Sequence, residues 1–230
     1  MNRSFVAVVP ARGGSKRVPR KNVRPFLGVP LVQRTIRTVL EAGVFDRLVV
    51  STDDDEIARL AEGAGAEVPF MRPAELADDH TATAPVIRHA IERLEAQGSA
   101  HIDTVCGIYA TAALLTREEI RDAADRFAVE RPDLLFAAAA HPAPVERSWV
   151  VSEEGLASMR WPEHRLTRTQ DLPVSYFDVG WFYFGNRQYW MTDGMSRGTS
   201  RVYLIDRRRA IDIDTEQDWG LAEELAQGGH

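Results

Sequence analysis

Apolar and polar positions follow two rhythms along this chain. Phe5–Pro10 is a short unbroken apolar run that stops at a glycine-containing turn, the pattern of a strand buried on both faces. Leu31, Val32, Ile36, Val39 and Leu40 fall at helical spacing, and Gly43 supplies the stop. Arg47–Ser51 reads as a second strand. The stretch DDDEIARLAEGAG reads as a helix with Asp53 to Asp55 capping its first turn and glycine past its end. AEVPF predicts a short strand. Ala84–Glu95 predicts a helix with Val86, Ile87, Ala90, Ile91 and Leu94 on one face. Thr104–Ala110 and Leu134–Ala140 read as strands, and Thr116 with Glu119 forms a capping box for the helix between them. Trp181–Gly185 reads as a strand. The run AIDIDTEQDWGLAEEL reads as a strand followed by a helix, and the tail QGGH is expected to fray.

Strands alternating with helices imply an α/β fold, a mainly parallel doubly wound sheet covered on both sides. The rhythm breaks at His141. From there to about Ser175, proline, tryptophan and charged residues replace it. The expected organisation is therefore an α/β domain made of 1–140 and 176–230, with an inserted arm at 141–175.

Composition narrows the function. The hydrophobic share of 44% and charged share of 27% are those of an ordinary globular chain, and 230 residues need no staples to build a core. A net charge of -6 argues against general binding to nucleic acid or membrane surfaces. The lone Cys106 excludes an intrachain disulfide and a cysteine zinc site, which fits a reducing cytoplasm. No stretch approaches the ~18 apolar residues of a membrane span. The opening apolar run, cut by Pro10 and Arg12, falls short of the ~7–15 residues of a signal-peptide core. The six histidines show no metal-ligand spacing.

Against that acidic background stands the turn ARGGSKRVPRKN, from Ala11 to Asn22, with five cationic side chains. A glycine-rich turn between strand and helix suits phosphate, because its backbone N–H groups can point inward and its lysines and arginines add countercharge. The carboxyl end of a first strand is where open α/β sheets bind ligands. The spacing is neither the Walker nor the dinucleotide pattern. The plain alternative is a solvated basic loop. Near the other end, Asp212 and Asp214 flank Ile213; on a strand they share one face and suit a hard divalent cation. The plain alternative there is a solvent-facing edge, with Asp214 as a helix N-cap.

The stretch VVPARGGSKRVPRKN resembles the signature of the CMP-sugar synthetases, the acylneuraminate cytidylyltransferases. Its form is closest to the pseudaminic acid cytidylyltransferase branch. VSTDDDEIA, RPAELADDHTAT, IYATAALL and YFDVGWFYFG…IDIDTEQDW match in the same order, so the resemblance spans nearly the whole chain. It implies a Rossmann-like nucleotidyltransferase that joins CMP from CTP to the anomeric hydroxyl of a nine-carbon sugar acid, with Mg2+ and release of pyrophosphate. Pseudaminic acid is the favoured acceptor. The alternatives are sialic acid, legionaminic acid or a shorter keto-deoxy sugar acid, and a non-catalytic nucleotide-binding protein is a distant option.

The resemblance places Arg12, Lys16 and Lys21 on the triphosphate. Ala11, Gly13, Gly14, Ser15 and Asn22 complete the nucleotide loop, while Arg17 and Arg20 fall on its outer face. Arg72 meets the acceptor edge of cytosine, the alternative being a salt bridge to Glu75. Thr81 or Thr83 lies near base and ribose. Asp212 and Asp214 hold Mg2+. Tyr109, Thr111, Arg168, Gln170 and Asp178 are implied at the sugar, Arg168 suiting its carboxylate. The chain departs from the family pattern at Ala113, Val179, Trp181 and Phe184. Tyr109 stands where many sialic acid synthetases have glutamine. Trp181, Phe182 and Tyr183 are expected to offer an apolar sugar pocket, although alternate residues on that strand must point the other way. The resemblance also implies a homodimer formed through the 141–175 arm.

Overall fold

A computed structural model describes residues 5–99, 101–192 and 198–228. In chain order the elements are β1 (Phe5–Pro10), a small hairpin of β2 (Pro25–Phe26) and β3 (Val29–Pro30), α1 (Leu31–Ala42), β4 (Arg47–Ser51), α2 (Asp55–Gly63) and α3 (Thr83–Ala96). β5 (Thr104–Ile108), α4 (Arg117–Glu130), β6 (Leu134–Ala140), β7 (Trp149–Val151) and β8 (Ala157–Met159) follow. β9 (Tyr176–Asn186), α5 (Arg187–Met191), β10 (Ser200–Leu204) and α6 (Glu216–Gln227) complete the chain.

Six strands form one sheet in the order β10-β6-β9-β5-β1-β4. All pairings are parallel except those of β9, which runs antiparallel to both neighbours. Alternation along β1 sends Val6 and Val8 into a core with Ile87, Ile91 and Leu94 of α3. Ala7 and Val9 point into the opposite core with Ile36 of α1, Ile57 of α2 and Ile120 of α4. The sheet is thus covered on both faces, as the chain's alternation of strands and helices predicts. β1 lies between β4 and β5, with α1 crossing on one face and α3 on the other. Its carboxyl end is therefore the topological switch point of the sheet.

Local chemistry sets the helix ends. Gly43 closes α1 at φ 67, where a side chain would be strained. Asp54 caps α2 by accepting from the Glu56 and Ile57 N–H groups. Thr116 with Glu119, and Thr215 with Asp218, form reciprocal capping boxes. Asp214 is consequently not the cap of the last helix.

Two expected strands differ. AEVPF meets β4 through a single bridge, Glu67 to Val49, and a second bridge joins Met71, just past it, to Thr52, just past β4. Pro69 between them has no N–H to extend the ladder. Ile211–Asp214 joins no strand. Its carbonyls are taken by side chains instead: the Trp181 indole N–H donates to Ile211 O at 3.1 Å, and the Lys21 amine donates to Ile213 O. β10, an edge strand beginning Ser-Arg, carries too little apolar pattern to be read from sequence.

The 141–175 segment leaves and rejoins the sheet at one point, where His141 N–H donates to Ser175 O at 2.9 Å. It carries the β7–β8 hairpin, and Arg147 ties its far loop by donating to the carbonyls of His164, Arg165 and Thr167. Trp149, Val151, Leu156 and Leu166 stand exposed on it. Among the described residues no helix is long and apolar enough to cross a membrane. The frayed tail expected at the end of the chain includes Gly229 and His230, which lie outside the described residues.

Candidate active site

The turn after β1 is held by contacts that its sequence only partly announces. Val18 is fully buried in a cluster with Phe26, Leu31, Ile213 and Trp219, so one small core clamps both the turn and the Ile211–Asp214 segment. Buried Asn22 staples the turn from within, its amide donating to Arg12 O at 2.9 Å. Arg20 ties the outer side to the start of α2 through Asp54, at 2.5 Å, and Glu56. Gly13 is needed for close approach, since a Cβ there would lie 2.5 Å from Asp54 Oδ2.

These contacts leave a cleft of about 450 Å³ at the carboxyl ends of β1 and β5. That size suits a small-molecule ligand. Arg12, Ser15, Lys16, Lys21 and Asn22 line it from the turn, Thr81 from just before α3, Thr83 and Val86 from its first turn, and Tyr109 and Thr111 from just past β5. Arg72 and Asp214 also line it. The cleft therefore brings together eleven of the residues picked out in the sequence. Arg17 joins them, although its place in the sequence puts it outside; its guanidinium lies 2.9 Å from Asp214 Oδ1. Lys21 Nζ is 3.5 Å from the same oxygen. Asp79, which the sequence does not single out, lines the cleft against Arg12 and Lys16.

Arg72 is buried and makes no salt bridge to Glu75. Its Nε donates to Ser51 Oγ at 3.1 Å, and a terminal nitrogen donates to Ser51 O. Burial lowers its pKa to about 10, so it stays charged at neutral pH without a carboxylate in direct contact. A guanidinium of this kind favours a ligand rich in hydrogen-bond acceptors.

Asp212 is not among the residues that line the cleft; it lies beside Gly180, where a Cβ would stand 3.3 Å from its Oδ2. Burial, with neighbouring Asp214 adding to it, raises the Asp212 carboxyl to about 6. Two mutually repelling carboxylates fit a bound cation. Among the described residues no group of three or more His, Cys, Asp or Glu side chains is arranged to hold a metal ion. An ion here would take its other ligands from phosphate and water, as Mg2+ commonly does.

Other sequence-picked residues lie elsewhere. Ala11 is buried and extends the β1–β4 pairing through its N–H. The inward backbone nest expected at the glycines is not formed. The Gly13 N–H is spent on Asp53 and the Ser15 N–H on Gly13 O. Arg168 and Gln170 sit exposed on the arm, the Arg168 guanidinium donating to the Gln170 amide oxygen, and neither lines the cleft. Asp178 lines an adjoining cavity with Tyr183, Tyr189 and Trp190, accepting from Gly180 N–H at 2.8 Å and the Tyr183 hydroxyl. A Thr83–Tyr109 hydroxyl contact separates this cavity from the main cleft. Trp181 and Phe182 do not line a pocket: both are buried in the sheet's core. Trp181 braces the carboxylate segment instead, through its indole N–H on the Ile211 carbonyl.

The model of the cytidylyltransferase family matches residues 6–176. The chain belongs to the cytidylyltransferase family. It is 39% identical to a pseudaminic acid cytidylyltransferase of Campylobacter jejuni, across 98% of this chain and 97% of that one. It is 32% identical to a CMP-N,N'-diacetyllegionaminic acid synthase of Legionella pneumophila, across 97% and 96%. Among solved structures, a CMP:2-keto-3-deoxy-manno-octonic acid synthetase complexed with CTP superposes with a TM-score of 0.72 at 16% identity, covering 98% of this chain and 99% of that chain. That likeness supports the fold alone. As a member of this family the chain is a CTP-dependent nucleotidyltransferase.

Proposed function

We propose that this cytidylyltransferase transfers CMP from CTP to the anomeric hydroxyl of a nonulosonic acid, with pseudaminic acid the preferred acceptor. The anomeric oxygen bonds to the α-phosphorus, the bond from that phosphorus to the bridging oxygen breaks, and pyrophosphate leaves while the hydroxyl proton is lost. The observation that carries the reading is the cleft itself, in which five cationic side chains converge at the end of β1 with Asp214, from the segment that also bears Asp212. Nucleotidyl transfer asks a protein chiefly for positioning and charge neutralisation. Arg12, Lys16 and Lys21 are suited to the triphosphate, and Arg72 to the O2 and N3 acceptors of cytosine. Asp212 and Asp214 would hold Mg2+, which supplies charge neutralisation at the phosphates when bound. The near-full-length relatives support the acceptor class.

The test is pyrophosphate release with CTP, Mg2+ and purified sugar acids. Pseudaminic acid is expected to give the highest kcat/KM. A single methyl or acyl contact discriminates by only about 10–200-fold, so related acids are expected to turn over slowly. A ratio favouring sialic acid would overturn the acceptor assignment. Absence of turnover with every acid would overturn the transferase reading.

The arm supports a homodimer. It exposes the large apolar side chains Trp149, Val151, Leu156 and Leu166, and Arg168 and Gln170 are held on it outside the chain's own cleft. Through this arm each subunit would bring Arg168 toward its partner's sugar. Light scattering at micromolar concentration is expected to give twice the chain mass, and Leu166→Asp is expected to give monomers. A fully active wild-type monomer would reject the arrangement.

A further inference from the structure

The cationic turn already holds an anion of the chain's own. Asp79, in the loop before α3, places Oδ1 at 2.6 Å from Arg12 Nη1 and Oδ2 at 2.5 Å from Lys16 Nζ. The loop is built to aim it. Neighbouring Asp78 accepts from the His80 N–H at 2.9 Å, the Thr81 N–H at 2.6 Å and the Thr81 hydroxyl at 2.7 Å, fixing the turn on which Asp79 stands. Lys16 and Arg12 hold the Asp79 carboxyl at about 2, so it is anionic at every working pH. Protonation therefore does not release the two cations, whereas a stronger anion can. A carboxylate bridging two cationic groups occupies the donors that phosphate oxygens would use.

We propose that Asp79 is a built-in competitor for the phosphate chain, holding Arg12 and Lys16 in the empty cleft, giving way to the triphosphate, and returning to both as pyrophosphate departs. This rests on the reading of the turn as the triphosphate site. Its consequence is reciprocal. Asp79 weakens binding of CTP and of pyrophosphate by the same factor, because both must displace it. The cost in substrate affinity is matched by freer release of product, and Arg12 and Lys16 are kept ordered between turnovers.

Titration calorimetry with inorganic tripolyphosphate and with pyrophosphate, without acceptor and at fixed Mg2+, tests the proposal. Asp79→Asn keeps the shape and removes the charge; Asp79→Ser removes both carboxylate oxygens. Each is expected to bind both anions about fivefold tighter, the size expected for releasing two exposed ion pairs. Pyrophosphate is expected to become a stronger product inhibitor by the same factor. Unchanged or weaker binding in both variants would overturn the proposal, since Asp79 would then be organising the turn rather than competing for it. The Arg12→Gln, Lys16→Gln double variant separates the underlying reading. It is expected to lose tripolyphosphate binding, and wild-type affinity there would show that the turn is not the phosphate site.

Discussion

Asp212→Asn is expected to abolish turnover, lowering kcat by about a thousandfold or more, while making the protein more stable at pH 7.5. The two halves of this result come from one feature. The Asp212 carboxyl is raised from 3.8 to about 6, first by burial and then by Asp214. A group raised in the folded state contributes stability that is complete below its unfolded value and lost as pH rises through its folded value. The window is therefore about pH 3.8 to 6, and above it the fold bears the cost of a crowded, ionised carboxylate. Asparagine fills the same space without the charge. Because Asp212 remains open to water on one side, the gain is about 1 kcal/mol, or roughly 2–4 °C in Tm for a chain of this size. At pH 4 the gain should disappear. A site that costs stability and is required for rate is the expected signature of a charge kept for a ligand. Melting curves at the two pH values and pyrophosphate-release rates check both halves. Retention of more than a tenth of the wild-type kcat would remove Asp212 from the reaction.

Much of this site was legible because its signals are local. Arg12, Lys16 and Lys21 lie within ten residues of each other after an apolar run, and the switch-point position of that run follows from the order of strands and helices. The capping box at Thr116 is likewise a four-residue signal. What escaped the sequence depends on contacts between distant segments. Asp79 meets Lys16 across 63 positions, and nothing in ADDHTA announces its partner. Arg17 looked external because a turn of cations usually sheds some to solvent, yet Asp214 from the far end of the chain draws it into the cleft. Trp181 and Phe182 were misplaced for a different reason. Strand alternation assumes regular backbone, and β9 has a register shift opposite Phe136–Ala138 and a positive φ at Gly180. Both side chains therefore enter the core instead of taking opposite faces. The IDID alternation suggested a strand, but side-chain donors from Lys21 and Trp181 satisfy that backbone where a neighbouring strand would otherwise do so.

Arg72→Met is expected to erase discrimination between CTP and UTP. The wild-type guanidinium is buried, charged and free of carboxylate contact, anchored through Ser51 and the Leu76 carbonyl, and it lines the cleft with the N–H groups that these bonds leave over. Cytosine presents acceptors at O2 and N3. Uracil carries a hydrogen at N3, which would meet the guanidinium donor to donor. A site built from buried donors rejects such a mismatch strongly, because the unpaired group on each side forfeits its hydration without compensation. The kcat/KM ratio of CTP to UTP is therefore expected to be about a hundredfold or more in the wild type and to fall to within a few fold in Arg72→Met. The loss should appear mainly in KM for CTP, since the base is remote from the reacting phosphorus and contributes binding alike in ground and transition states. Arg72→Lys separates charge from shape. A single ammonium keeps the charge but lacks the fork that spans two acceptors, so it should recover little of the discrimination. Unfolding is excluded as the cause if methionine, which matches the aliphatic part of arginine, leaves Tm within a few degrees of wild type. An unchanged CTP to UTP ratio in both variants would mean that base recognition lies elsewhere in the cleft, and Arg72 would then be only a brace for the end of β4.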